Sequence, residues 1–416
     1  MNGVKAAFKR YIDYSAYFLR DLAFGALTGI VGGLVGTAFC YAISWATGLR
    51  TENSWLVWLL PVAGLVIVFF YRLHGIHPTD TNGVLVAVRK PKAISASTGP
   101  LIFGGTVLTH LFGGSAGREG AALQLGGVLG WHLAKLFRQD EKDSHILVMS
   151  GMSAVFAALF GTPVTAAVFA MEVISVGILH FSAIVPCLAS ALTASFIANG
   201  LGVASESVML PVYDFAWTNM GGCVLIAVLC ALVSMIYCIG LSQTHRLAKK
   251  YLANPYLRIA VAGTLVALLS FALGTDDYNG AGMHIIHKAL HGEARPEAFA
   301  LKLVFTVVTM SCGYKGGEIV PAMFIGATLG CVLGNLVGLP AGLGAAVGLL
   351  SMFCGSLNCP LSSILLGLEL FGGGNLQFYA IAAAVSFMLS ENYGLYSKQK
   401  IMYSKLRPEF INAYTD

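Results

Sequence analysis

Four glutamates hold the chemistry of this 416-residue sequence: Glu119, Glu172, Glu318 and Glu369 stand in or beside long uncharged stretches. A carboxylate in such surroundings is costly to keep ionised, so it holds or releases a proton according to its neighbours. Glu119 sits in Gly117-Arg118-Glu119-Gly120 and Glu318 in Gly317-Glu318-Ile319-Val320-Pro321. Both segments read as helix starts with a glycine-rich approach, the second carrying a proline in its first turn. A helix start presents unpaired N–H groups and a partial positive charge, which suits an anion. A carboxylate placed there competes with an incoming anion for the same amides. Once protonated it lets go, and proton binding becomes coupled to anion binding. The plainer alternative is that each glutamate only caps its own helix. Arg118 reads as a structural tether pointing away from that seat. Glu172 and Glu369, late in their helices, read as structural residues at the cytoplasmic end.

The elements that must position these groups are membrane helices. Charged residues make up 11% of the chain, against roughly 25% in an ordinary soluble domain. Hydrophobic residues reach 56%, and mean hydropathy is +0.75. No Asp, Glu, Lys or Arg occurs in 22–49, 144–171, 173–205 or 215–245, and the run 319–368 extends over 50 residues. About 20 apolar residues span a bilayer, so the pattern is that of an all-α polytopic membrane protein. It excludes a soluble enzyme and a nucleic-acid binder. The nine cysteines are scattered through apolar segments without a CxxC and read as small buried hydrophobes.

The charges set the topology. Lys and Arg cluster at Lys5–Arg20, Arg89–Lys92, Lys135–Lys142, Arg246–Arg258 and Lys398–Arg407, and the positive-inside rule makes these cytoplasmic. Both termini are then expected on the cytoplasmic side. Asp276–Pro296 reads as an external loop or short surface helix. Its His284, His287 and His291 share one helical face, but no carboxylate stands at the matching step, and no metal is assigned. Only eight residues run from Glu409 to the end, so no C-terminal regulatory domain is expected.

An internal repeat organises the chain. Gly117–Gly130 (GREGAALQLGGVLG) and Gly317–Gly330 (GEIVPAMFIGATLG) place glycines at three common offsets, 200 residues apart. Pro163 and Pro360 each precede a glutamate, Glu172 or Glu369, by nine positions. Two repeats in one order are the pattern of a transporter with two related halves, about 20–203 and 215–405, within one transmembrane domain spanning 1–416. Its broken helices would form a site near the midplane.

At these positions the chain resembles the CLC family of anion channels and anion/proton exchangers. GREGA around Glu119 is close to the family's GREGP with its gating glutamate. GEIVP at Gly317–Pro321 is similar to GxFxP. Thr81-Asn82-Gly83-Val84-Leu85 falls where the family has GSGIP, and Gly394-Leu395-Tyr396-Ser397 matches the last-helix region with its pore-facing tyrosine. The resemblance covers roughly residues 20 to 405. It implies a CLC-type inverted-repeat fold with broken helices, a homodimer with one pore per subunit, and no cofactor.

The departures sharpen the expectation. Asn82 stands where chloride- and nitrate-type members have serine or proline. Ile319 replaces a phenylalanine, and Glu318 precedes it. Val173 occupies the place of the internal proton-transfer glutamate of chloride/proton exchangers. Together with GYKGGE at Gly313–Glu318, these features resemble the bacterial fluoride/proton antiporter branch. Thr81, Leu85 and Val320 depart from both branches. An asparagine amide offers two N–H donors where serine offers one O–H, which suits the more strongly hydrated fluoride.

The expected reading is a fluoride/proton antiporter of the inner (plasma) membrane, exporting fluoride from the cytoplasm. Asn82, Gly83, Gly120, Ile319, Val320 and Tyr396 would bind the anion, with Glu119 and Glu318 coupling it to protons. A chloride/proton exchanger or chloride channel on the same fold is the alternative, and a membrane scaffold that has lost transport is a second.

Overall fold

The computed structural model describes residues 2–75, 81–89 and 94–415, with side chains from residue 7 onward. Lys90 and Lys92 of the second basic cluster lie outside the described residues. Among the described residues there are sixteen α-helices, in two sets of eight. The first set is α1 (Asn2–Glu52), α2 (Leu60–Leu73), α3 (Thr81–Arg89), α4 (Thr98–Leu111), α5 (Glu119–Leu136), α6 (Glu141–Phe160), α7 (Pro163–Glu172) and α8 (Ile184–Gly200). The second is α9 (Trp217–Tyr251), α10 (Pro255–Leu273), α11 (Met283–Leu290), α12 (Ala298–Ser311), α13 (Ile319–Leu336), α14 (Leu343–Leu357), α15 (Pro360–Phe371) and α16 (Leu376–Leu389). Each helix of the second set packs as its counterpart eight places earlier does: α13 lies on α14 as α5 lies on α6, and α9 meets α14 and α16 as α1 meets α6 and α8.

Burial separates inner from outer helices. All of α14 and most of α5, α6 and α13 are buried in protein. The outer helices α1, α8, α9 and α10 leave Leu34, Phe196, Trp217 and Phe271 exposed, as lipid-facing surfaces do. In lipid no hydrophobic force drives one helix onto another, so close packing relies on small residues. The repeated glycines supply it. A Cβ on Gly126 or Gly130 would overlap the carbonyl of Gly151 or Leu147 in α6, and one on Gly326 or Gly330 would overlap that of Gly348 or Gly344 in α14.

The proline–glutamate pairs have an equally direct cause. Pro163 and Pro360 open α7 and α15, which lie antiparallel. The Glu172 carboxylate, at the end of α7, accepts from the amides of Leu361 (3.0 Å) and Ser362 (2.8 Å) and from the Ser362 hydroxyl. The Glu369 carboxylate, late in α15, accepts from Val164 (3.0 Å) and Thr165 (2.7 Å). Each glutamate therefore caps the helix of the other half. Antiparallel packing puts the two carboxylates at opposite ends of the pair, which corrects the expectation of one shared cytoplasmic end.

Basic residues of four of the five clusters gather at one end of the molecule. Arg20 pairs with Asp143 at 2.8 Å, beside the Lys135–Lys142 loop. Arg89 donates to the carbonyls of Ile174 (3.2 Å) and Lys398. Here too lies a three-stranded sheet absent from the all-α expectation: β1 (Ser175–Val176) pairs parallel with β2 (Lys400–Tyr403), which pairs antiparallel with β3 (Phe410–Tyr414). The loop after α8 and the Asp276–Pro296 stretch lie at the other end, joined by His287 and Glu206 at 3.8 Å. All nine cysteines are buried free thiols.

The backbone contact between α5 and α6 yields a stability test. Gly151→Val should destabilise the fold by about 1–3 kcal/mol or more, read as a lower thermal midpoint and an early-eluting aggregate in size exclusion. Gly48→Ala should leave the midpoint unchanged or raise it, because nothing lies within 4 Å of a Cβ there.

Candidate anion and proton site

Two glycines join the halves. Gly117 N donates to Gly317 O and Gly317 N to Gly117 O, both at 2.7 Å, as an isolated antiparallel bridge. The starts of α5 and α13 are thereby held face to face. A Cβ on Gly317 would overlap Gly120 N and come within 3.2 Å of Glu119 N, so only glycine lets these amides meet the opposite strand. The first-turn N–H groups of two helices, which have no partner within their own helix, are brought close together, among them those of Gly120, Ile319 and Val320.

Both expected glutamates are there. Glu119 opens α5 and is 2% exposed. Its Oε2 accepts from Arg118 N at 2.9 Å, so the carboxylate folds back onto its own helix start. Glu318 stands just before α13. Its Oε2 lies 3.4 Å from where a Cβ on Gly120 would stand, so this carboxylate reaches across to the opposite helix. Its carbonyl accepts from the Tyr237 hydroxyl at 3.1 Å. One carboxylate therefore occupies its own amides and the second leans over the first helix's start.

Arg118 is more than a tether. It donates to Leu159 O at 3.4 Å and Cys40 Sγ at 3.3 Å, and pairs with Glu206 at 2.7 Å. Its Nε is also 3.6 Å from Glu119 Oε1. The guanidinium is thus shared between a buried carboxylate and a loop carboxylate.

Tyr396 is buried beside Thr81, facing Glu318 and Glu119, and its hydroxyl makes no regular hydrogen bond. The expected last helix is absent at Gly394–Ser397, where the chain is irregular. Its backbone is satisfied otherwise, by Leu395 N to Ser356 O (2.8 Å) and Gln399 N to Tyr396 O (2.7 Å). Asn82 and Gly83, in the first turn of α3, are half-buried. Asn82 Oδ1 accepts from Lys398 N at 2.9 Å.

Three neighbours were not singled out from sequence as site residues. Thr81 Oγ1 lies 3.5 Å from Gly120 O and accepts from Gln124 Nε2 at 3.1 Å, and Tyr237 holds Glu318. A buried glutamine in an otherwise apolar helix was the available signal for Gln124. Thr81 stood out only as a departure from a motif, and a lone tyrosine in a 35-residue helix carries no local mark. The three histidines go separate ways: His284 to Asp277 (3.2 Å), His287 to Glu206 (3.8 Å), His291 to its own helix (2.7 Å).

Sequence comparison places this architecture in a family. The family described as Voltage gated chloride channel matches residues 74–391, well over half of the chain. The chain belongs to the CLC family. Among its CLC relatives, the Chloride/fluoride channel protein of Pseudomonas syringae pv. tomato is 34% identical, over 97% of this chain and 92% of that protein. An H(+)/Cl(-) exchange transporter of Vibrio vulnificus is 23% identical over 88% of this chain and 85% of that one. The crystal structure of a CLC-type fluoride/proton antiporter superposes with a TM-score of 0.88 at 34% identity, over 94% of this chain and 98% of that one. A slow cyanobacterial Cl−/H+ antiporter shares the CLC fold with a TM-score of 0.77 at 17% identity, covering 89% and 94% of the two chains.

The unbonded Tyr396 hydroxyl makes a clean probe of this CLC site. Tyr396→Phe should leave the thermal midpoint unchanged, since no hydrogen bond is lost. It should weaken fluoride binding about 10- to 100-fold, the worth of one hydrogen bond to a charged partner, measured by titration calorimetry.

Proposed function

We propose that this CLC chain is a fluoride/proton antiporter that drains fluoride from the cytoplasm by admitting external protons. The observation carrying the proposal is the pairing of Glu119 and Glu318 over one set of helix-start amides. The relatives named for fluoride support the choice of ion. The chain would work as a homodimer in the inner (plasma) membrane, with both termini and the β-sheet end facing the cytoplasm, as the basic clusters at that end favour.

The mechanism follows from competition for the amides. While ionised, Glu119 holds the start of α5 and excludes an anion. Protonation removes its claim on those donors, and the side chain swings away. A fluoride then takes the amides of Gly120, Ile319 and Val320, with the Tyr396 hydroxyl as a further donor. The Lys398 amide fixes the carbonyl end of Asn82, and its NH2 end would serve the anion as a further donor. Glu318, reaching over Gly120, would receive the proton or hold the departing ion's place. Val173 cannot relay a proton, so a second carboxylate inside the anion path itself fits a coupling route that needs no separate internal glutamate. Fluoride export is chemically consistent with proton entry, because HF crosses a bilayer uncharged and ionises inside.

Proteoliposomes loaded with fluoride or chloride, with a fluoride electrode and an external pH electrode, test the whole reading. Fluoride efflux should exceed chloride efflux at least tenfold and draw protons inward. Chloride leaving as fast as fluoride would assign a chloride exchanger, and anion flux without proton movement a channel. Glu119→Gln should lower proton-coupled flux to the background of empty vesicles.

A further inference from the structure

A second group of buried basic side chains lies at the end of the molecule opposite the β-sheet. Arg50, in the last turn of α1, is 5% exposed, Lys302 in α12 is 0%, and His110 at the end of α4 is 1%. Lys302 Nζ donates to the carbonyls of Tyr278 (3.1 Å) and Gly280 (2.6 Å), drawing the loop before α11 over the group. The positions where side chains on Gly113 and Gly280 would begin locate the cluster. The first is 3.2 Å from Asn279 Nδ2 and 3.5 Å from Arg50 Cδ, and the second is 3.5 Å from Arg50 Nη2. Arg50, Asn279 and Lys302 therefore meet around two stretches of bare backbone.

Several polar atoms of the group have no partner. Arg50 Nε and Nη1, Asn279 Nδ2 and His110 Nε2 are all buried without a hydrogen-bond partner. Asn279 Oδ1 accepts from Ser270 Oγ at 3.0 Å, which turns its NH2 group the other way, toward Arg50. His110 Nδ1 donates to Thr106 O at 2.9 Å, so Nε2 donates only when the ring is protonated. Among the described residues neither Arg50 nor Lys302 has a carboxylate at ion-pair distance. Asp276 acts on Arg50 only from farther off. A buried guanidinium without a counter-charge is strongly unfavourable, and carbonyls at the ends of α1 and α4 offset only part of that. Nothing apolar would gain from this arrangement; a small anion would.

We propose that Arg50, Asn279 and Lys302 form a second anion site, separate from the transport path, that takes one small monovalent anion such as fluoride or chloride. Its occupant supplies the missing counter-charge and accepts from Arg50 and Asn279. The site has a mechanical link to the gate. Gly280 N donates to Gly114 O at 3.1 Å, and residues 113–118 lead directly into Glu119. An anion here stiffens the approach to α5 from outside the path, so external anion sets how firmly Glu119 is held. The site does not depend on which anion is transported or on proton coupling.

Equilibrium dialysis of the purified full chain in detergent, against sodium fluoride and separately sodium chloride in a gluconate background, tests this directly. Arg50→Gln and Asn279→Ala should each bind one anion fewer per chain than wild type, or bind it at least tenfold more weakly. Glu119→Gln should retain the cluster's anion, which separates this site from the transport site. Asn279→Asp places a carboxylate where the anion would sit. It should abolish the second binding event and raise the thermal midpoint in gluconate to that of wild type with anion bound. Asn279→Ala leaves the charge unaltered, so it remains informative if Arg50→Gln fails to fold. Equal stoichiometry and affinity in wild type and Asn279→Ala, or an anion-dependent midpoint that persists in Asn279→Asp, would overturn the proposal.

Discussion

Everything at the centre of this protein depends on two reciprocal hydrogen bonds between Gly117 and Gly317. They are short, buried and purely backbone, and they convert two separately encoded helix starts into one concentrated source of N–H donors. Without them each helix would present its free amides to a different place, and neither would attract an anion strongly enough against water. The bond also fixes the spacing of Glu119 and Glu318, because both side chains hang from the residues just after it. In the proposed mechanism, coupling between a proton and an anion is a matter of which negative group the shared amides hold.

The same logic of crossing between halves recurs at the periphery. Glu172 and Glu369 cap each other's partner helices, so the ends of α7 and α15 have no unpaired amides facing lipid. Arg118 divides its charge between Glu119 and Glu206, connecting the buried start of α5 to a loop at the opposite end from the sheet. In each case a charge placed at membrane depth is tolerated because a helix end or an opposite charge from another segment meets it.

The sequence disclosed features that are repeated or chemically costly. Uncharged runs revealed the membrane helices, and the glycine and proline–glutamate repeats revealed the two halves, because each is written twice. Glu119 and Glu318 were legible because an acid beside a glycine break is expensive. What escaped depended on direction and on distant pairing. Glu369 seemed to share a side with Glu172 because the repeat does not state that it is inverted. Gly394–Ser397 looked helical by likeness, while its backbone is satisfied by Ser356 and Gln399. Two strands of four and five residues have no periodicity long enough to read. Arg50 lies more than 200 positions before Asn279 and Lys302 in the chain, and no local pattern announces that they meet.

The reciprocal caps also bear on how the molecule is made. Glu172 is 190 residues upstream of Ser362, whose amide it will hold. At about 5–20 residues per second of synthesis, that carboxylate waits on the order of ten seconds or more for its partner, as does the start of α7 for Glu369. During that interval the first half already carries its apolar helices but has bare amides at one helix start and a lone acid at the other end. Water or the insertion machinery must satisfy them until the last quarter of the chain arrives, so the nascent first half cannot close on its own. Assembly of the two halves is therefore a late and concerted event, and truncation before α15 leaves both caps undone together.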